Sequence, residues 1–295
     1  LALGFMGNMV QSNSIGAAFS EVFTYYHINV PPVAVGAVIA LLSLFIFLGG
    51  TKRLASVVEK LVPVMAGFYI VGSLILIGMH ITHLPEAFRL ILVGAFQPDA
   101  VVGAGAGITV REAIRYGVAR GLFSNEAGMG STPHAHARAK AKSPHHQGLC
   151  AMISVFIDTF IILNLTVFSI LTTGAMASGK DGTALTQEAF MQSFGPLGLI
   201  FVAVCLLFFA YSTILGWHFF GQINAEYLFG KKAARVYSLL VVVFIVIGSA
   251  LKVDLVWALA DFFNGLMVIP NAMALLALSG VVVKISRRLD VKGKL

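Results

Sequence analysis

One stretch of this chain departs in chemistry from everything around it. Ala119 to Thr132 reads ARGLFSNEAGMGST and lies between long apolar runs. Gly121, Gly128 and Gly130 permit backbone that a helix does not contain, and Phe123, Ser124, Asn125 and Glu126 lie between them. A helix broken at membrane depth exposes unpaired peptide groups, which is tolerated only where they line a cavity or pack in protein. Half-helix N-termini attract carboxylates, and freed carbonyls coordinate sodium or accept from ammonium groups. The stretch is therefore a candidate site for a small zwitterion, with Ser124 and Asn125 adding side-chain oxygens. The competing reading is a re-entrant kink of purely structural meaning. Glu126 reads either as a cation ligand or proton carrier, or as a cap of a half-helix or a partner of Arg120.

Two further groups of residues could join it. Gly7 to Ser14 reads GNMVQSNS, unusually polar for an apolar segment. Asn8, Gln11, Ser12 and Ile15 fall on one helical face by spacing. They either line a substrate cavity or supply hydrogen bonds between helices. Ser212 and Thr213 sit in another apolar run, with Trp217 one turn beyond Thr213 on the same face. Hydroxyl oxygens suit a hard cation such as Na⁺, and the alternative is back-bonding to the carbonyl one turn earlier. Trp217 reads as a pocket wall or as an interfacial belt residue.

Asp158, isolated on an apolar run, would pair with an arginine or with freed amides, and Asp261 reads as lying nearer the outer surface. His134, His136, His145 and His146 read as a solvated basic loop rather than a metal centre. Neither Cys150 nor Cys205 supports a disulfide or a metal site. No Ser–His–Asp set, nucleotide loop or zincin pattern is present, which argues against an enzyme. No cofactor is implied beyond a coupling ion.

The elements that hold these residues are membrane helices. Of 295 residues, 58% are hydrophobic and 11% charged, where a soluble domain carries roughly 25% charged. Mean hydropathy is +0.90. Apolar runs of about 20 residues read as spanning helices, and they do not alternate as barrel strands would. The net charge of +7 gathers in short loops. That points to orientation in a bilayer rather than to nucleic acid.

In order, the spans run from about Leu1 to Phe23, Val33 to Gly49 and Val62 to Ile81. His83 to Phe96 is too short to cross and reads as an amphipathic interfacial helix. A glycine–alanine run, Val101 to Gly107, leads into Ile108 to Arg120. Basic loops at Thr51–Lys60 and Pro133–His146 both lie inside only if something in Val101–Thr132 also crosses. The glycine-broken stretch is therefore expected to be a discontinuous span. Gly148–Thr173, Phe194–Gly221 and Val236–Leu251 follow as spans, with an external loop at Gly174–Ser193 and an internal basic one at Gly230–Arg235. Leu255 to Ile285 would form a straight helix about 46 Å long against a core of about 30 Å. Asn264-Gly265 and Pro270-Asn271 interrupt it. One broken span keeps Lys284, Arg287, Arg288, Lys292 and Lys294 inside. The expectation is an all-α polytopic membrane protein of about eight crossings, one transmembrane transporter domain over 1–295. Leu1 opens directly into an apolar segment, so an N-terminally incomplete chain is expected.

The motif Gly121-Leu-Phe-Ser-Asn-Glu-Ala-Gly-Met-Gly-Ser131 resembles that of the alanine or glycine:cation symporter family (AGCS). Gly7–Ser14, Gln147-Gly-Leu with Val155-Phe-Ile-Asp-Thr159, and Tyr211-Ser-Thr-Ile-Leu-Gly-Trp217 resemble further segments of it, in the same order, so the resemblance covers nearly all of the chain. It implies a LeuT-like five-plus-five inverted-repeat fold, as in the bacterial leucine transporter, with the first two core helices missing here. It also implies uptake of a small amino acid, alanine or glycine, coupled to sodium or to protons. The pocket it implies has Asn8 and Gln11 on one wall, the Phe123–Gly128 backbone with Ser124 and Asn125 on another, and Thr213 and Trp217 on a third. Its cation site would use Ser212 or Thr213. The first broken helix of the family has no counterpart here, so this chain alone is not expected to complete the machine. A passive pore and a non-transporting scaffold or receptor are the alternatives. Coupling, or its absence, separates a symporter from a pore, and amino-acid binding separates either from a scaffold.

Overall fold

The computed structural model describes residues 1–96 and 110–291, and every regular element among them is helical. The glycine–alanine run at 101–107 and the basic residues 288, 292 and 294 lie outside what can be described. A π-helical turn, Ala2–Gly7, leads into α1, Asn8–Tyr25. Pro31 holds extended backbone and Pro32 opens α2, Pro32–Leu48, at a position where a missing N–H is harmless. Next come α3 (Gly50–Met79), α4 (Leu84–Phe96) and α5 (Val110–Ser124). A single turn, α6, covers Pro133–His136. The Ser143 side chain accepts from the His146 N–H to cap α7, Pro144–Phe156. A π-helical stretch, Ile157–Ile162, joins α7 to α8, Leu163–Thr173. The chain ends in α9 (Gly182–Phe194), α10 (Pro196–Ala250) and α11 (Val253–Val291).

Four stretches among the described residues are long and apolar enough to cross a membrane: Gly50–Met79, Pro144–Thr173, Pro196–Ala250 and Val253–Arg287. Pro32–Leu48 is a shorter apolar helix. The α10 span is not one rod. Gly230 has φ +81° and ψ 178°. His218 Nε2 and the Ser238 hydroxyl then lie 2.8 Å apart, where a straight helix would separate them by about 30 Å. The chain therefore folds back at the basic turn, as the separate spans on either side of Gly230–Arg235 required. The expected external loop at Gly174–Ser193 is less irregular than the sequence suggests. Most of it is α9, which buries Gln187 and Phe190. The expected interruption of the last apolar stretch is not a break either. Asn264–Gly265 is helical and Pro270 is accommodated inside α11.

The body is built on α1, which packs between α2 and both arms of α10. Ile15, Ile39, Phe47, Ile214, Val241 and Ile245 form its apolar centre. Lipid is as apolar as leucine, so association depends on close packing, and small residues supply it. A β-carbon on Gly248 would sit 2.4 Å from the Met9 Cα, and one on Gly36 would sit 1.9 Å from the Ser249 hydroxyl. Asn13 fastens the same contact, donating to the carbonyls of Gly248 and Leu251 at 2.9 and 2.8 Å. This body holds α1 and the first arm of α10 at fixed positions beside the end of α5.

Candidate functional site

The α5 helix stops at Ser124, and the chain runs as turns from Asn125 to Gly130. Glu126, Gly128 and Gly130 all have positive φ, +50°, +76° and +74°. That conformation is costly for a residue with a β-carbon, so Glu126 is held there by what its side chain does. Its Oε1 accepts from the Trp217 indole Nε1–H, and its Oε2 accepts from the Ser131 hydroxyl. Trp217 is 3% exposed and Ser131 4%, so a carboxylate is held by two sheltered donors. The pairing with Arg120 considered from the sequence does not form. Arg120 instead makes a two-pronged bond to Asp261, at 2.8 and 2.9 Å, and lies 4.0 Å over the Trp257 ring. Asp261 thus joins α11 to α5 and is more informative than its position near a surface suggested.

Aromatic rings enclose the carboxylate. Phe123 meets Trp217 edge to face with centroids 5.4 Å apart and contacts Trp257 at 5.3 Å. Gly7 also lies against the indole, where a β-carbon would come within 2.6 Å of the ring. The π-helical stretch supplies the remaining partners. Widening the helix at 157–162 shifts which side chains face inward, a feature frequent at functional sites. It brings Asp158 within 2.5 Å of the Ser124 hydroxyl, which donates to it. Thr159 and Asn125 exchange bonds at 3.1 Å, and Asn164 donates to the carbonyls of Thr159 and Phe160. Asp158 therefore finds a hydroxyl rather than an arginine.

On the wall formed by α1, Asn8, Ser12 and Ile15 are fully buried and Gln11 is half-buried. The Asn8 amide donates to the Gly4 carbonyl at 3.0 Å, and its Oδ1 has no partner. Ser12 donates to the Met9 carbonyl. The hydroxyls of Ser212 and Thr213 both back-bond to the Phe209 carbonyl at 2.9 Å, and Ser212 also points toward the Met65 sulfur. Their lone pairs stay available, but they are not joined to the Glu126 group by any hydrogen bond among the described residues. Gly128 faces open space, with nothing within 4 Å of where a β-carbon would stand. A cleft of about 520 Å³, lined by Gly4, Met129, Ser131, His134, Asn224 and Tyr237 among others, reaches the Ser131 end of the site.

The structure thus gathers Phe123, Glu126, Ser131 and Trp217 in one cluster, with Ser124 and Asn125 beside it and bonded to the π-helical stretch. The sequence reading did not anticipate Ser131, Thr159, Trp257 or Asn271 as partners. Asn271 donates to the Gly128 carbonyl at 2.8 Å. The signal for Ser131 was available, since it ends the glycine-rich motif. The other three lie far away in the chain. The described His, Cys, Asp and Glu residues form no group able to hold a metal ion.

Every described element is helical and several are long and apolar, which fits a membrane transporter, and a sheltered polar site lies where α5 ends. Comparison with known proteins gives the family. The model of the sodium:alanine symporter family matches residues 1–294. The sodium/alanine symporter AgcS of Methanococcus maripaludis is 39% identical over 282 residues, covering 94% of this chain and 60% of the relative. The amino-acid carrier protein AlsT of Bacillus subtilis is 37% identical over 286 residues, with 97% and 59% covered. The probable sodium/glutamine symporter GlnT of the same organism is 39% identical over 284 residues, with 96% and 58% covered. The chain belongs to the sodium:alanine symporter family. It spans about three fifths of the length of the curated relatives it matches.

Proposed function

We propose that the protein containing this chain is a secondary active symporter that takes up a small neutral amino acid, alanine or glycine, with sodium entering alongside it. The observation that carries this reading is the end of α5 at Ser124, where a glycine-rich turn follows and Glu126 is held by Trp217 in a sheltered polar cluster. A helix C-terminus carries partial negative charge, which suits an ammonium group or a cation. The substrate lies against Phe123, Ser124, Asn125 and Gly128, with Asn8 and Gln11 on one side and Thr213 and Trp217 on the other. The closeness of the Trp217 ring favours a small side chain. Sodium takes oxygen ligands, and Ser212 or Thr213 supplies one of them through lone pairs that back-bonding leaves free.

The residues form a single transporter domain of a LeuT-like five-plus-five fold with about eight crossings. The protein sits in the cell membrane, the inner one where there are two, and its C-terminus is cytoplasmic. The names of AgcS and GlnT, a sodium/alanine and a probable sodium/glutamine symporter, support sodium as the coupling ion. Protons are the alternative ion.

The test is uptake of labelled alanine by the full-length parent in proteoliposomes. Accumulation that requires an inward sodium gradient supports the reading. Accumulation unchanged when both sodium and proton gradients are removed overturns symport in favour of a passive pore.

A further inference from the structure

The α11 helix carries a polar side chain that the account so far does not use. Asn264 is 7% exposed, and neither its Nδ2 nor its Oδ1 has a hydrogen-bond partner among the described residues. Leaving a primary amide dry and unpaired is costly, and buried polar groups are almost always satisfied. The surroundings do not supply a partner. Val256, Ala260, Asn264, Met267 and Asn271 follow one another at helical spacing on the inward face of α11. Val256 and Ala260 belong to the same apolar cluster as Phe123, Met129 and Trp217, and Met267 packs against it.

Two fixed contacts set the height of Asn264. Asp261 holds Arg120 near the end of α5, and Asn271 holds the Gly128 carbonyl. The two segments therefore run side by side in the same direction. Asn264, one turn beyond Asp261 and two turns before Asn271, lies level with the place where α5 comes to its end. Among the described residues the amide is an unpaired donor and an unpaired acceptor, on the same helical face as Asn271, which reaches the Gly128 carbonyl. A bare cation would satisfy only the Oδ1, and an anion only the Nδ2–H₂. A zwitterionic amino acid satisfies both, its ammonium group donating to Oδ1 and its carboxylate accepting from Nδ2.

We infer that Asn264 is a substrate-binding residue, the fourth wall of the amino-acid pocket, contributed by α11. The inference rests on the symport reading above and names a contact which that reading lacks.

The test uses the full-length parent in detergent and in proteoliposomes, with alanine as the probe and Asn264→Leu and Asn264→Ala as variants. Leucine is close in shape to asparagine and has no unmet polar atoms. Without alanine, Asn264→Leu should melt at or above the wild-type temperature, because an unsatisfied amide has been replaced by apolar surface. With alanine, its stabilisation should be lost and the KM for sodium-driven uptake should rise at least tenfold. Asn264→Ala should show the same loss of alanine affinity. A wild-type KM in both variants overturns the inference, leaving the amide to an ordered water. A lower melting temperature without alanine and a wild-type KM give it a structural role and overturn the inference equally. Wild-type protein that neither binds nor accumulates alanine overturns the symport reading itself, and this contact with it.

Discussion

Trp217 Nε1 donates to the Glu126 carboxylate across 91 residues of chain, so the helix break and the first arm of α10 share one hydrogen bond at the centre of the site. Hydrogen bonds to charged groups contribute about 1.5–3 kcal/mol, and removing one partner of a buried pair costs more than replacing both. Glu126→Leu strands both the Trp217 N–H and the Ser131 hydroxyl. It should destabilise the folded protein by about 2 kcal/mol or more. Glu126→Gln keeps an acceptor for the indole and should cost less than half as much. Thermal melts of the full-length parent in detergent separate the two variants.

Gly7 sets where the indole can stand. A β-carbon there would lie 2.6 Å from the Trp217 ring, which is buried and packed edge to face on Phe123, so it has little room to give way. Gly7→Ala should therefore push the indole toward the break and narrow the pocket. Alanine affinity in the full-length parent should fall roughly tenfold, about 1.4 kcal/mol, with glycine affected less. Equal losses for the two amino acids would place the substrate elsewhere.

The two motif glycines should behave differently. Gly130 has φ +74° and would bring a β-carbon within 2.5 Å of the Asn271 side-chain oxygen, while Gly128 at φ +76° has nothing near it. Positive φ alone costs of order 1 kcal/mol or more for a residue with a β-carbon. Gly130→Ala should therefore lower the melting temperature more than Gly128→Ala does. Gly128→Leu should insert into the membrane and yet abolish alanine binding, because it fills the open space in front of the break. Normal alanine affinity in Gly128→Leu would remove that residue from the site.

The end of the molecule where α9 meets the end of α1 carries a pH-dependent tie. Lys180 Nζ lies 3.0 Å from Glu188 in α9 and 3.5 Å from Glu21 near the end of α1. The hydrogen bond from Lys180, and then that from Gln192, hold the Glu188 carboxyl below its ordinary value of 4.5. A lowered carboxyl contributes stability that is present above the unfolded value and lost as pH falls through the folded one. The melting temperature should therefore fall below about pH 4.5, with a smaller fall in Lys180→Met. The groups are largely solvated, so the difference should be small and should shrink further in high salt.

Much of this was legible in the sequence because it depends on local chemistry. Gly128 and Gly130 read as departing from helix and do so with positive φ, while Gly121 stays inside α5, which ends at Ser124. Basic loops placed a turn near Gly230, and the chain reverses there. Asn8, Gln11, Ser12 and Ile15 fall on one helical face from spacing alone, and all but the half-buried Gln11 are fully buried. What was not legible depends on contacts distant in sequence or on small departures from helical geometry. Nothing in Ile157–Ile162 signals that the helix widens, yet that widening aims Asp158 and Thr159 at Ser124 and Asn125. Arg120 had two acids to choose from, and only packing selects Asp261. Pro270 and Asn264-Gly265 suggested a break in α11, but a helix with lipid-facing sides has no other way to satisfy its backbone. It absorbs the proline instead.

The central claim is that a small amino acid binds in the membrane against the end of α5. The most direct measurement is thiol labelling of Ser124→Cys in a full-length parent whose Cys150 and Cys205 are replaced by serine and alanine. The reagent is a small membrane-impermeant thiol probe, and Lys140→Cys serves as the aqueous reference. The account predicts slow labelling at position 124 that alanine slows further when sodium is present, while labelling at position 140 is fast and indifferent to both. Labelling at 124 as fast as at 140 and unaffected by alanine would put the break in water and contradict it.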